Sequence, residues 1–157
     1  MTVTVYFWPP KGEAIGHASI MADGGQPAGK AYLSAWPGDL LSVFLVGDAA
    51  YHEFLDDVAS EGNRQPHSVA LTKLNETAIK AKMADLKKRN HYSFPGANCA
   101  TQASICLNAG LPSNPALDAL TLGLSTLNPA SYFLRTDVIN TPWTLYVYAK
   151  VLATKYA

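Results

Sequence analysis

The stretch Tyr92–Gly110, YSFPGANCATQASICLNAG, holds the residue of this chain best suited to nucleophilic chemistry. Pro95-Gly96 is a turn pair, with proline presetting φ and glycine free to adopt positive φ. Asn98 is a good N-cap, which puts Cys99 at about the first helical position. Ala100, Ala103, Cys106 and Leu107 then recur at helical spacing, and Gly110 with Pro112 closes the helix. A thiol at a helix N-terminus lies at the positive end of the macrodipole, which lowers its pKa and favours the thiolate. The competing role is that of a small apolar residue packed inertly at a helix start.

A cysteine nucleophile needs a base, and the histidines are His17, His52, His67 and His91. His91 follows a basic helix end, His67 opens a strand after a proline, and His52 lies in an acidic stretch of unclear pattern. His17 sits inside a short strand whose same-face neighbours are small, and Gly16 before it lets other backbone approach closely. The alternative for a lone strand histidine is a hydrogen-bonded structural residue.

These side chains depend on the elements that carry them. Residues 2–8, TVTVYFW, are β-branched and aromatic and form a strand that stops at Pro9-Pro10. GHASIMA (16–22) alternates His17, Ser19 and Met21 against Ala18, Ile20 and Ala22; KAYLSAW (30–36) puts Tyr32, Ser34 and Trp36 on one face. Three short strands joined by Gly/Pro turns predict an antiparallel meander. Residues 39–66 read as an irregular insertion with a short helix and an acidic group, Glu53, Asp56 and Asp57. HSVALTKL (67–74) is a fourth strand, and Asn75 caps a helix over 76–89 with Ile79, Met83 and Leu86 on one face. The basic end of that helix is a solvated face rather than a binding patch. Loops and short helices fill 111–140, and Thr141-Pro142 opens a last helix.

Composition narrows the function classes. At 157 residues the chain is expected to form a single domain, 1–157, with one core. Hydrophobic residues are 48% and charged ones 15%, with formal net charge +0, which points away from electrostatic binding of nucleic acid. No apolar run is long enough for a membrane span, and the N-terminus lacks the basic start and apolar stretch of a signal peptide. Cytoplasmic synthesis is expected, with export by a signal-independent route left open. Cys99 and Cys106 lie about 10 Å apart along one helix, too far for a disulfide, so both are expected as free thiols. No metal site and no cofactor is expected: the chain has no C-x-x-C or H-x-x-x-H pair and no Gly-rich phosphate loop.

GHASI, then YLSAWPG, then YSFPGANCA followed by an apolar helix ending LNAG, together resemble the circularly permuted papain-like cysteine hydrolases. These are histidine-first relatives of the NlpC-type cell-wall peptidases, a group that includes acyltransferases and phospholipase-like enzymes. The resemblance spans residues 15–110, with the G-H-A-S strand and the N-C-A helix start as its specific points. It implies an α+β, permuted papain-like fold, with an antiparallel sheet of about four to six strands packed against the cysteine helix. It also implies Cys99 as nucleophile and His17 as general base. A third group usually orients the histidine, and Ser34 is the best-placed polar candidate, with Tyr32 second. A serine departs from the Asn, Asp, Glu or second His often found there. Tyr32, Trp36 and Asn98 are the residues expected to border the substrate, Asn98 chiefly as a cap.

The function implied is a cysteine amidohydrolase or peptidase working through an acyl-thioester, with peptidoglycan peptides as substrate. An antibacterial effector with a cognate immunity or inhibitor protein would suit such an enzyme. The alternatives are an acyltransferase or lipid-ester hydrolase on the same dyad, favoured by a deep apolar groove at Cys99, and a catalytically silent binding module.

Overall fold

Val3–Trp8 forms β1, an inner strand of a four-stranded antiparallel sheet, between the strands His17–Ala22 and His67–Leu71. The computed structural model describes residues 2–12, 15–23, 31–39, 46–94, 96–112 and 141–157. β2 is His17–Ala22, paired with β1 so that His17 lies opposite Trp8 and Ile20 opposite Val5. β3 is Ala31–Leu33, paired with β2 through Ile20 and Leu33. β6, His67–Leu71, lies on the other side of β1 and ends before the predicted residue 74. The meander and the antiparallel sheet of an α+β fold are thus present.

The strand expected over 30–36 is divided at Ser34. Ala35–Pro37 forms β4 and pairs with β5, Ala49–Tyr51, in a separate two-stranded sheet. The Ser34 carbonyl accepts from His52 N–H at 3.2 Å, so the backbone beyond Leu33 is held by the β5 side rather than by β2. The segment read as an irregular insertion therefore supplies β5 and the helix α1, Phe54–Ser60. The remaining helices are α2, Glu76–Arg89; α3, Cys99–Ala109; and α4, Pro142–Tyr156. Asn75 caps α2 by accepting from Ala78 N–H, and Thr141 caps α4 by accepting from Thr144 N–H, as their sequences predict. The loops and short helices expected over 113–140, and Pro95 of the predicted turn, lie outside the described residues.

Alternation in the strands assigns the two faces of the sheet. Val3, Val5, Ala18, Ile20, Leu33 and Leu71 face α2, α3 and α4 and join Ile79, Ala103, Leu107, Leu145 and Leu152 in one core. On the opposite face, Tyr6, Trp8 and Tyr32 pack on Phe54 of α1, with ring centroids 4.9, 6.2 and 6.1 Å away. The α3 helix is buried on almost every side, including its polar Thr101, Gln102 and Ser104. Its end fits closely against α2: a Cβ on Gly110 would overlap the Ile79 side chain and stand 3.2 Å from Asn75 O. Gly110 has an ordinary right-handed conformation, so close packing, not a left-handed cap, explains the glycine.

Gly16 is required for both reasons. Its φ is +87°, and a Cβ would come 2.7 Å from Trp8 O and 3.1 Å from Pro10 N. That contact sets the direction in which the chain enters His17. Gly16→Ala is expected to lower unfolding free energy by about 1–3 kcal/mol, read from the urea midpoint. An unchanged midpoint would mean that the β1 end yields without cost.

Candidate active site

Cys99 is held from both sides of the α3 N-terminus. Asn98 Oδ1 accepts from Thr101 N–H at 2.9 Å, and Asn98 Nδ2 donates to Phe94 O at 2.9 Å. One turn on, Gln102 Nε2 donates to His91 O and Ala97 O at 2.9 and 3.0 Å. The loop leading into the cysteine is thereby tied to the helix that follows it. The backbone N–H groups of Ala18 and Ala100 help to lower the thiol pKa of Cys99, and Ala18 belongs to β2, the strand that carries His17.

Cys99 and His17 line the same cavity and shift each other's pKa through charge and hydrogen bonding, although 82 positions separate them in the chain. Burial works to raise the Cys99 thiol pKa, but the His17 charge and hydrogen bond, with the two backbone donors, bring it below the ordinary value. Burial likewise works to lower the His17 pKa. The negative Cys99 sulfur and then Asp57 outweigh it and raise His17 to about 9. Both shifts favour a thiolate–imidazolium pair at neutral pH. Cys106 shows what burial does without such a partner: its thiol is pushed up to about 12.

The far nitrogen of His17 is fixed by a buried carboxylate. Nε2 stands 2.8 Å from Ser34 Oγ and 3.4 Å from Asp57 Oδ2. Ser34 spends its one proton on Asp57 Oδ1 at 2.8 Å, so toward His17 it is the acceptor and Nε2 carries hydrogen. Nδ1 is then the nitrogen left for Cys99. Asp57, fully buried, also accepts from Tyr32 Oη at 2.5 Å and from Trp36 Nε1 at 2.8 Å. Tyr32 Oη in turn stands 2.6 Å from Ser19 Oγ. Burial works to raise the Asp57 pKa; His17, Tyr32 and Ser34 together hold it below the usual carboxylate value. The Trp36 ring lies between two imidazoles, 4.4 Å from His17 and 5.3 Å from His52, both stacked. His52 Nδ1 is 3.5 Å from Asp57 Oδ1.

The residues singled out by sequence occupy different positions. Cys99, His17, Ser34 and Trp36 come together. Tyr32 lies behind Asp57 and opens on a separate cavity with Tyr6, Met21, Glu53 and Phe54. Asn98 is a buried cap. The sequence reading assigned no role to Asp57, the group that ties Tyr32, Ser34, Trp36 and His17 together. Two signals point to it. Tyr32, Ser34 and Trp36 put three proton donors on one strand face, which calls for a shared acceptor. In FLDDVAS, Phe54, Asp57 and Val58 share one helical face, so Asp57 lies in the apolar stripe while Asp56 is exposed.

A cavity of about 540 Å³ opens on this array, lined by Ile15, Gly16, His17, Ala35, Trp36, Pro37, Tyr92, Phe94 and Cys99. Tyr92 is largely buried, and burial and the negative sulfur both raise its phenol pKa. No helix among the described residues is long and apolar enough to cross a membrane. No protein-family model, no curated protein and no solved structure matches the chain.

Iodoacetamide should modify Cys99 rapidly at pH 7 and leave Cys106 protected until unfolding, as mapped by peptide mass analysis. Equal rates would contradict the paired thiolate. The alkaline side gives a second test. His17, raised in the fold, contributes stability that is complete below its ordinary pKa of about 6.5 and is lost as pH rises through about 9. Asp57→Asn keeps the shape but removes the charge that supports the imidazolium. Its Cys99 alkylation profile should shift to higher pH, and the variant should be less stable because buried donors lose their acceptor. An unshifted profile would remove Asp57 from the site.

Proposed function

We propose that this chain is a cysteine amidohydrolase or peptidase with a permuted papain-like architecture. The observation that carries the reading is the Cys99–His17–Asp57 array, a helix-terminal sulfur and an imidazole whose remote nitrogen rests on Ser34 and a buried carboxylate. The chain order supports the permuted form, with the histidine strand β2 before the cysteine helix α3.

In this reading the Cys99 thiolate adds to an amide carbonyl carbon. Asn98 takes the N–H groups of Thr101 and Gln102, so the Cys99 N–H is the first-turn donor of α3 that remains for the oxyanion. His17 gives its proton to the leaving amine as the C–N bond breaks, leaving an acyl-thioester. Neutral His17 then takes a proton from water, whose oxygen attacks the thioester carbon, and the C–S bond breaks. Asp57 favours the imidazolium state at each stage where His17 is charged, and Ser34 holds its tautomer.

The proposed substrate is a peptide of peptidoglycan, and the proposed setting is an antibacterial effector countered by an immunity protein. A second reading, an acyltransferase or lipid-ester hydrolase on the same residues, is favoured by the apolar side chains that line the cavity at Cys99. Incubation with purified peptidoglycan and mass analysis of the fragments tests the first reading: released peptides support it, and an unaltered wall directs attention to acyl esters. In either case Cys99→Ala should abolish turnover while the melting temperature stays nearly unchanged. Residual turnover would exclude Cys99 as nucleophile.

A further inference from the structure

Cys99 is only 8% exposed, and among the described residues the cavity of about 540 Å³ is the space onto which it opens. Whatever acyl group the sulfur receives must project into that space, because it is bonded to the sulfur after the leaving group has gone. The chemistry of the lining therefore selects the acyl group, whichever compound delivers it.

The lining offers little to a polar acyl group. Ile15, Ala35, Pro37 and Phe94 have no polar side-chain atom. Trp36 has one, but its N–H is committed to Asp57 and Ser34. The polar atoms of His17 and Cys99 belong to the reacting pair, which leaves the Tyr92 hydroxyl as the other polar side-chain group of the described lining. Among the described residues of the lining there is no lysine, arginine, aspartate or glutamate. At the rim, Ile15 is 60% exposed and Phe94 44% exposed, large apolar surfaces beside a reactive sulfur. A carboxylate seated here would lose hydration, and the described lining offers it no cation beyond the His17 already paired with the sulfur, whereas each methylene seated here leaves water with gain.

We infer that the cavity is an acyl-binding site for an apolar acyl group, an aliphatic or aromatic chain attached to the scissile carbonyl. The inference rests on the nucleophilic role proposed for Cys99 and deepens it. Within peptidoglycan it selects bonds whose acyl donor is alanine over those whose donor carries a second carboxylate. The same chemistry is offered by an apolar residue of a peptide and by a fatty acyl ester.

p-Nitrophenyl esters test this on the intact chain. The Cys99 thiolate adds to the ester carbonyl, and p-nitrophenol leaves with the bonding pair and the proton of His17. Water then hydrolyses the thioester, with His17 taking the proton and the C–S bond breaking to release the acid. Acylation rates are measured from the nitrophenol burst for acetyl, butanoyl, pentanoyl and hexanoyl esters and for mono-p-nitrophenyl succinate, a charged analogue close in size to the pentanoyl ester. The N-acetylphenylalanyl and octanoyl esters compare the peptide and fatty-acyl sources. Intact-protein mass and Cys99→Ser assign the acylated residue.

The rate should rise from acetyl to hexanoyl by about three- to fourfold per methylene. The pentanoyl ester should exceed the succinyl one by tenfold or more. Phe94→Ser and Ile15→Ser should each reduce that pentanoyl-to-succinyl ratio, each variant being referred to its own iodoacetamide rate. Flat rates, or a succinyl ester as fast as the pentanoyl one, with Cys99 still alkylated faster than Cys106, would overturn the acyl-site inference and leave the nucleophile standing. A Cys99 no more reactive than Cys106 toward either reagent would overturn both.

Discussion

One buried carboxylate holds the candidate site together. Asp57 has no exposed surface, and an isolated charge there would be untenable. It is satisfied by donors from separate elements: Tyr32 in β3, Ser34 at the break between the sheets, Trp36 in β4 and His17 in β2. Hydrogen bonds to a charged group contribute about 1.5–3 kcal/mol each, and losing one inside a dry site leaves a buried donor or a buried charge uncompensated. The seating of α1, the split of the third strand and the tautomer of His17 are for this reason a single cooperative arrangement. Phe54 and Val58 supply the apolar contacts that bring α1 onto the sheet, and Asp57 sets its register there.

That arrangement also places charge where the proposed chemistry uses it. The carboxylate lies behind the imidazole and the sulfur in front of it, so His17 is flanked by two negative groups. The indole of Trp36 adds its face, stacked at 4.4 Å, where the ring quadrupole favours a cation. Cys99 in turn depends on α3, whose small residues Ala100 and Ala103 pack in the core with Ala18 and Ile20 of β2. Because α3 is buried almost all round, its polar residues work inward as clamps. Gln102 holds the preceding loop, and Asn98 closes the first turn.

Sequence alone determined most of the secondary structure and singled out Cys99 and His17, which the fold brings to one cavity. The caps at Asn75, Asn98 and Thr141, the alternation in β1 and β2 and the helical spacing after Cys99 are local signals, and local physics is enough to express them. The close approach at Gly16 was legible for the same reason, since a glycine before a short strand has few other uses. Ser34 was found because strand alternation fixes which side chains share a face.

The rest was decided by tertiary structure. Nothing within residues 30–36 says that the strand changes sheets at Ser34, because the partner that captures Ala35–Pro37 is β5, whose three residues carry too little pattern to be read alone. In the sequence Asp57 is one of an acidic group with Glu53 and Asp56, and the packing of α1 on the sheet buries it while leaving Asp56 exposed. Its burial becomes tolerable once Tyr32, Ser34, Trp36 and His17 have converged on it from other elements. The helical spacing of Phe54, Asp57 and Val58 marks Asp57 as facing inward, but the partners that make its burial tolerable come from distant parts of the chain, so its place at the centre of the site appears only when the chain is folded.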